Sequence, residues 1–371
     1  MSKAAELANL IGNINAGGGS GGRNLVQNGS FVVAQRGTSF SNTTVSQFCL
    51  DRFSVDVSGG GAFNVTQDTS VPEGFEKSLK LEVGTADSSI ASSDAYRVTH
   101  AIEGQNFSQS DWGSSTAKAC VLSFYVKSSV TGTYGVGFAN SAETENYVAE
   151  YTISSANTWE KKTITVPLRT SGTWLTTTGV GVGIRWDLGS GTAYNGTAGQ
   201  WQTTSSKVYR TSSCVNLIAT GSATWQLAGV QFELGQNPTS FEHRTYVQDL
   251  LDCQRYLFCI DATDDNEGSG ERAFGLGTYY NDTSVIIYID TPVEMRATPS
   301  LEVDLNGSSQ WLQSYVGATG SNTNAGLNVG QNGNNTAHRL YFTSSHSSRT
   351  AGQSSWNQVL DGARFLMKAE L

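Results

Sequence analysis

From Asn24 onward the chain alternates apolar and polar residues in short runs, and the clearest stretch is Ala119 to Leu188. In Ala-Cys-Val-Leu-Ser-Phe-Tyr-Val-Lys-Ser, Cys120, Leu122, Phe124 and Val126 share one parity, and Ser123, Tyr125 and Lys127 the other. A half-buried strand needs that period, because successive side chains leave opposite faces of the pleat. Thr131-Gly132 turns the chain, Tyr134 to Ala139 returns it, Tyr147 to Ile153 alternates again, and Ala156-Asn157-Thr158 bends it. Thr163 to Leu168 then places Ile164, Val166 and Leu168 on one face, and Val180, Val182, Ile184, Trp186 and Leu188 give the cleanest alternation of all. Before this meander, Leu50 to Val55, Leu79 to Val83 and Tyr96 to Ile102 read as strands, and Asn28-Gly29 reads as a turn beside an edge strand. After a Gly/Thr/Ser loop from Gly189 to Ser206, Trp225 to Leu234 is the closing strand. Its apolar residues change parity between Leu227 and Val230, and a one-residue bulge at Ala228-Gly229 puts all of them on one face. Closely spaced strands joined by Gly, Asn, Ser and Thr predict an antiparallel jelly-roll β-sandwich over residues 24–243.

Two segments carry the helical period instead. Ala4, Leu7, Leu10, Ile11 and Ile14 form one apolar stripe, too short to stand alone in water. A flexible run, Gly17 to Gly22, follows. A sticky helix on a loose tether is expected to dock, so residues 1–23 read as an attachment segment gripping through Leu7, Leu10, Ile11 and Ile14. Val247, Leu250, Leu251 and Gln254 mark a helical connector at 244–257. Alternation then resumes at Ala273 to Tyr279, Ser284 to Ile289, Ser300 to Leu305, Leu327 to Val329, Arg339 to Thr343 and Gly362 to Ala369. These predict a second, smaller β-sandwich over 258–371, with Gly317 to Asn335 as a long exposed loop. The fold class expected is all-β, with short N-terminal and linker helices.

Composition narrows the function. Charged residues make up 15% of the chain, against about a quarter in ordinary soluble domains. A surface of Ser, Thr, Asn, Gln and Gly suits an extracellular or virion β protein better than a metabolic enzyme. A net charge of −9 argues against a nucleic-acid binder, which needs a basic stripe. No apolar run reaches the ~20 residues of a membrane span, and no signal-peptide core is evident; assembly in a reducing cytosol without membrane insertion is expected. Cys49, Cys120, Cys214, Cys253 and Cys259 are odd in number and scattered, so free thiols are expected.

A glycosidase needs two carboxyl groups across a cleft, and Asp51, Asp56, Asp187, Glu143 and Glu145 are the candidates. Glu143-Thr-Glu145 reads as a solvated turn, and Asp264, Asp265 and Glu267 as a polar loop. His100, His243, His338 and His346 are too dispersed for a metal site. No nucleophile elbow, P-loop or zincin motif occurs, and no repeat of the kind depolymerases use. No enzyme activity is expected. Sugar binding asks for aromatic faces beside amides. Trp174, Tyr194, Asn195, Trp201 and Gln202 lie in loops of the first domain; Trp311 and Tyr315 lie near Asn306, Gln310 and Gln313 in the second. Trp186 and Trp225 have the parity of core positions. For Trp174 and Trp201, capping the core and contacting a ligand fit equally.

The segments NLVQNGSFVVAQRGTSF, LDRFSV, LSFYVKSSVTGTYGVGF, NTWEKKTITVP, WQLAGVQFELG and TSFEHRTYVQDLLDCQRYL, over Asn24 to Leu257, resemble a family of tail and virion structural proteins of tailed phages, particularly marine podoviruses. The family is described as carrying carbohydrate-binding jelly rolls. The resemblance implies a tail fibre or appendage component, commonly a homotrimer, that adsorbs to a host surface glycan and joins other virion proteins through its N-terminal segment. Non-receptor roles (capsid decoration or an adaptor) and a polysaccharide depolymerase are the alternatives. Related carbohydrate modules hold a structural calcium between an Asn-Gly-Ser-Phe opening and a carboxylate of the last strand. Here Asn28-Gly29-Ser30-Phe31 matches the opening, but Ala228-Gly229 stands where the acid is expected, leaving Glu233 nearest. No cofactor is expected, with Asn28 and Glu233 the positions a calcium would take.

Overall fold

The computed structural model describes residues 22–262, 272–281, 284–304, 312–316, 319–323, 327–330, 337–343, 350–360 and 363–371. The attachment residues Leu7, Leu10, Ile11 and Ile14, the acids Asp264, Asp265 and Glu267, and Trp311 and His346 lie outside the described residues. The chain is all-β, its strands paired antiparallel, with a few short helices. It divides into two compact units, the first ending at Asp249 and the second spanning Leu250–Glu370.

The first unit is a two-sheet sandwich. One sheet has six strands in the order Ser39–Thr43, Ala62–Asp68, Ser78–Thr85, Thr224–Leu234, Cys120–Ser128 and Glu160–Val166. The other has seven: Trp201–Thr203, Glu145–Ile153, Gly132–Ala139, Val180–Asp187, Ala95–Glu103, Phe53–Ser58 and Gln47–Phe48. Strands distant in sequence are neighbours in space, as the jelly-roll reading expects. Leu79, Leu81, Leu122, Phe124, Val126 and Phe232 on one sheet meet Val55, Val98, Val136, Phe138 and Ile184 on the other. Trp186 and Trp225 are fully buried between them, and Trp186 lies with its ring centroid 6.4 Å from that of Phe53 and 6.0 Å from that of Phe124. Removing this apolar surface from water, at about 25 cal/mol per Å2, is the main stabilising term.

The bulge forms where the parity change requires it. Ala228 pairs with Tyr125 and Gln231 with Ser123, so one residue of the closing strand has no counterpart. Gly229 takes φ +57° there, and Trp225, Leu227, Val230, Phe232 and Leu234 all enter the core.

Four local expectations are corrected. The segment about Asn28-Gly29 is a turn without an edge strand. Its backbone groups are met by side chains instead: Asn28 Nδ2 donates to the carbonyls of Val33 and Asp51 (2.9 and 3.0 Å), and Asn24 Oδ1 accepts from the amides of Val26 and Phe232 (both 3.0 Å). Leu50 to Arg52 form a turn, with Arg52 at φ +69°, and the strand starts at Phe53. Leu168 is exposed, because its strand ends at Val166, ahead of Pro167, which has no amide to continue a ladder. The stretch from Gly189 to Ser206 contains the strand Trp201–Thr203, paired to Glu145, Asn146 and Tyr147.

In the second unit a three-stranded sheet (Leu257–Asp261, Arg364–Lys368, Ser300–Asp304) accompanies a seven-stranded one. The latter runs Thr319–Thr323, Leu312–Val316, Ser354–Val359, Arg272–Tyr279, Ser284–Asp290, Ala337–Thr343 and Leu327–Gly330. Tyr279, Val285, Ile287, Met295, Leu312, Val359, Phe365 and Met367 form its core. Within Gly317 to Asn335, read as an exposed loop, two stretches are strands. Their register comes from Leu312–Val316 and Ala337–Thr343, and a neighbouring ladder overrides the weak strand preference of Gly and Asn. The connector helix forms at Tyr246–Gln254, with Val247 and Leu251 exposed. Cys49, Cys120, Cys214 and Cys253 are buried free thiols and Cys259 is half-buried; burial pushes Cys49 up to about 12.

Candidate functional site

The face of the seven-stranded sheet that turns away from the first unit's core is polar. Between core residues of Phe53–Ser58, Ala95–Glu103 and Val180–Asp187, the alternate positions are Ser54, Asp56, Arg97, Thr99, Ala101, Gly183, Arg185 and Asp187. Register sets them in rows across the strands: Asp56, Arg97 and Asp187; Ser54, Thr99 and Arg185; and Ala101, Gly183 and Ala139. The last row is a floor with no side chain longer than a methyl. Because Gly183 has none, the Arg185 guanidinium lies flat over it, 3.6–3.9 Å from where a Cβ would stand.

The segment from Lys207 to Arg210 forms a wall beside this floor. It passes directly over Gly135 and Gly137: a Cβ on Gly137 would come within 2.4 Å of Tyr209 Cβ, and one on Gly135 within 2.7 Å of its carbonyl oxygen. Tyr209 is thereby fully buried. Its ring stacks on Tyr194 at 4.8 Å, and Arg97 sits 4.9 Å from its centroid.

The charges are paired but not exhausted. Arg97 Nε donates to Asp56 Oδ2 at 2.8 Å, and Thr99 Oγ1 donates to the same oxygen at 2.7 Å. Arg185 Nη2 donates to Glu143 Oε1 at 2.5 Å, and Lys207 Nζ lies 3.0 Å from the other Glu143 oxygen. Arg210 Nε lies 3.6 Å from Asp187 Oδ2. Arg185 is 8% exposed, yet its Nε and Nη1 have no hydrogen-bond partner. Burial, and then the neighbouring Arg97, lower its pKa. Burial opposes charge on Arg97 as well, but Tyr209 and Asp56 outweigh it and hold that group above its ordinary value. Burial pushes Asp187 up to about 6 against the pull of Arg210. An unsatisfied guanidinium held out of water is costly.

The sequence-derived residues separate into two groups. Tyr194 and Asn195 belong to this face: Tyr194 donates its hydroxyl to Ser93 O at 2.9 Å, and Asn195 Oδ1 is buried without a donor. Gln202 spends its amide on Thr197, at 3.0 and 3.1 Å. Trp174 and Trp201 instead join Trp112, Phe107 and Tyr147 in an aromatic cluster at one end of the sandwich. Trp112 meets Trp174 at 4.8 Å and Trp201 at 5.1 Å, both edge to face. All three indole nitrogens donate to backbone carbonyls, Trp112 to Lys118, Trp174 to Ser171 and Trp201 to Pro167. Trp174 is 9% exposed and caps the core. Trp201 is half-buried under Arg169, whose guanidinium carbon lies 5.7 Å from its centroid. In the second unit Tyr315 donates to Gln313 Oε1 at 2.7 Å, and its ring lies 5.1 Å from that of Trp356.

Sequence reasoning missed Arg97, Arg185, Lys207 and Tyr209. The signal present was charge at outward parity on central strands, with glycines two apart at Gly135 and Gly137. It also misread Glu143 and Glu145 as solvated. Glu143 holds Arg185 and Lys207; Glu145 is buried, paired with Arg169 and bonded by Thr203. The strand Trp201–Thr203 covers Glu145, which is why a local reading exposes it.

Asn28 and Glu233 do not fit a calcium site. Asn28 Oδ1 accepts from Val33 N at 3.0 Å. Glu233 accepts from Thr239 N (2.8 Å), Thr239 Oγ1 (2.7 Å) and Gln231 Nε2 (2.9 Å). Calcium wants six to eight oxygens free to turn toward it, and among the described residues no three His, Cys, Asp or Glu side chains gather.

No family model matches the chain, and no curated protein matches it. Solved structures similar to it include the enzymatically active domain of tailspike protein 4 of bacteriophage CBA120, at 14% identity and TM-score 0.33 over 57% of this chain and 22% of that one. Another is the CBM22-1–GH10 portion of Clostridium thermocellum xylanase 10B complexed with xylohexaose, at 13% and 0.26 over 57% and 30%. A third is a family 11 carbohydrate-binding module from Clostridium thermocellum with a β-1,3-1,4-mixed-linked tetrasaccharide, at 10% and 0.27 over 56% and 97%. The chain thus spans under a third of the tailspike and xylanase chains. Likenesses at this level carry no functional argument.

Proposed function

We propose that this chain is a glycan-binding virion component, and that its first unit holds saccharide hydroxyls on the outward face of the seven-stranded sheet. The observation that carries the reading is Arg185: nine-tenths buried, fixed by Glu143, and left with Nε and Nη1 unpartnered above a floor of Ala101, Gly183 and Ala139. Both atoms are closed off by the protein in this structure, as is the neighbouring Arg97 Nη1, so the reading requires the Lys207-to-Arg210 wall to shift and admit a polyol whose oxygens then meet them. Tyr194, half-buried and stacked on Tyr209 over Arg97, is the aromatic ring at hand for the sugar's C–H face. The carboxylates of Asp56 and Glu143 are each held by an arginine, an arrangement for orienting hydroxyls rather than for donating a proton. The site is therefore read as non-catalytic.

A glycan array probed with the full chain tests this. Binding to a defined set of oligosaccharides that falls at least tenfold in Arg185→Met is expected, a loss of the size of a hot-spot side chain. No binding across the array, or binding indifferent to that substitution, overturns the site.

The virion role rests on the phage-family resemblance: a homotrimeric tail fibre or appendage, docked through residues 1–23 to other virion proteins and presenting its sandwiches to a host glycan. Purified full chain is expected to compete with phage for adsorption, and removal of residues 1–23 to abolish incorporation into particles without abolishing glycan binding. Incorporation without any effect on adsorption favours capsid decoration or an adaptor. Release of reducing ends from host polysaccharide favours a depolymerase.

A further inference from the structure

The unspent hydrogen-bonding capacity on the outward face of the first unit's seven-stranded sheet is nearly all of one kind. Arg97 Nη1, Arg185 Nε and Nη1, and Arg210 Nε are buried donors without an acceptor. Arg210 Nε comes nearest to one, 3.6 Å from Asp187 Oδ2, which is past hydrogen-bonding range. Among the buried side-chain acceptors of this face, Asn195 Oδ1 and the Tyr209 hydroxyl are open, and the hydroxyl can also donate. The carboxylates are engaged. Asp56 accepts from Ser54, Arg97 and Thr99, Asp187 accepts from the amides of Gly189 and Ser190, and Glu143 holds Arg185 and Lys207. Glu150 stands exposed beyond Gly135 and accepts from Thr211 Oγ1.

The cations around Arg185 are also in surplus. Arg185 pairs with Thr99, which puts Arg97 diagonal to it and within reach of a long side chain. Glu143 serves both Arg185 and Lys207, and Asp56 serves Arg97, so three cations share two carboxylates. Burial lowers the Arg185 pKa first, and repulsion from Arg97 lowers it further. A neutral hydroxyl placed there accepts a hydrogen bond but brings a proton that needs an acceptor of its own. An anionic oxygen accepts without donating, offsets the repulsion and makes charge-assisted bonds about twice as strong as neutral ones. The guanidinium, planar and weakly hydrated, is the cation suited to such oxyanions. The net charge of −9 does not oppose this at close range. It is screened beyond about 8 Å at physiological ionic strength, whereas the contact is made at about 2.8 Å.

We infer that the saccharide held at Arg185 is an acidic one, with carboxylate or sulfate oxygens set between Arg97 and Arg185. The inference rests on the reading of this face as a glycan site and, like it, on a shift of the Lys207-to-Arg210 wall. The test is a glycan array that carries oligouronates and sulfated oligosaccharides beside their carboxyl-reduced and desulfated parents. It is probed with the full chain and with Arg97→Gln, Arg185→Met and Lys161→Gln, the last replacing an exposed lysine of the opposite sheet. Acidic members are expected to bind at least about tenfold more tightly than their parents. That preference is expected to vanish in Arg97→Gln and Arg185→Met and to persist in Lys161→Gln. Signal on uronates alone identifies a carboxylate, and signal on sulfated sugars alone a sulfate ester. Neutral parents bound as tightly as acidic members, with binding still lost in Arg185→Met, overturn the inference and leave the glycan site standing. Silence on every member overturns both. A preference that Lys161→Gln removes equally, or that both arginine variants keep, is general attraction of charge and overturns the inference too. The wild-type comparison of acidic members with their parents needs no variant, so one that fails to fold, seen by circular dichroism, does not blunt the test.

Discussion

Arg185 and Asp187 sit two residues apart on one strand and share one outward face, yet burial acts on them in opposite directions. Arg185 loses hydration and keeps its charge, because Glu143 stands 2.5 Å away. Removing one member of a buried pair leaves its partner uncompensated and destabilises, but Glu143 is part-buried and retains Lys207, which limits the loss. Arg185→Met is therefore expected to lose glycan binding with a lowered melting temperature and the cooperative transition kept, which a thermal melt beside the array distinguishes from misfolding. Asp187 is pushed up to about 6, above the ~3.9 of an unfolded chain. The folded state then binds more protons than the unfolded state between those values, so this group's contribution to stability is full below about 3.9 and is lost as pH rises through 6. Melting temperature compared between wild type and Asp187→Asn from pH 4 to 7 is expected to show the variant gaining on wild type as pH rises; a constant difference refutes this. Neither behaviour is legible locally. The sequence shows that both residues face outward, and the Lys207-to-Arg210 segment that takes them out of water arrives from a distance.

At the scale of elements, parity was legible wherever a strand had large apolar residues on one side. Val182, Ile184, Trp186 and Leu188 are all buried in the core as their alternation requires. The bulge was legible too, because a parity change inside one strand leaves few other solutions. Gly229 adopts φ +57°, and a Cβ there would meet Phe75 Cζ at 2.4 Å. Gly229→Ala is expected to destabilise by about 2–3 kcal/mol from backbone strain plus crowding, read by denaturant midpoint at unchanged slope. Weakly apolar strands escaped: Ala62–Asp68 offers only Phe63 and Val65 as large apolar residues, and the strands inside Gly317 to Asn335 are held by their neighbours' ladders. The wall over the sheet depends on Gly135 and Gly137. Gly137→Val is expected to displace Tyr209 and abolish the glycan binding assigned to Arg185, with far-UV circular dichroism retained.

Over the whole molecule, the two units have separate cores with no residue in common. Phe232→Ala in one and Val285→Ala in the other are therefore expected to move different heat-unfolding transitions, by roughly 3–5 and 1–3 kcal/mol. A single transition that both variants shift together would count against separate units. What the amino-acid sequence by itself determined is the class of fold, the faces of its best strands, the bulge and the connector helix. Those follow from the short-range periods of a pleat and a helix, which neighbouring residues impose on one another. What only the tertiary structure decided is which outward-facing residues come together. Arg97 with Tyr209, Arg185 with Glu143, and Tyr315 with Trp356 meet across 41 to 112 positions of chain. Such meetings depend on which strands lie side by side and which segment crosses them, and strand order is settled by burial of the whole sheet rather than by any stretch within it.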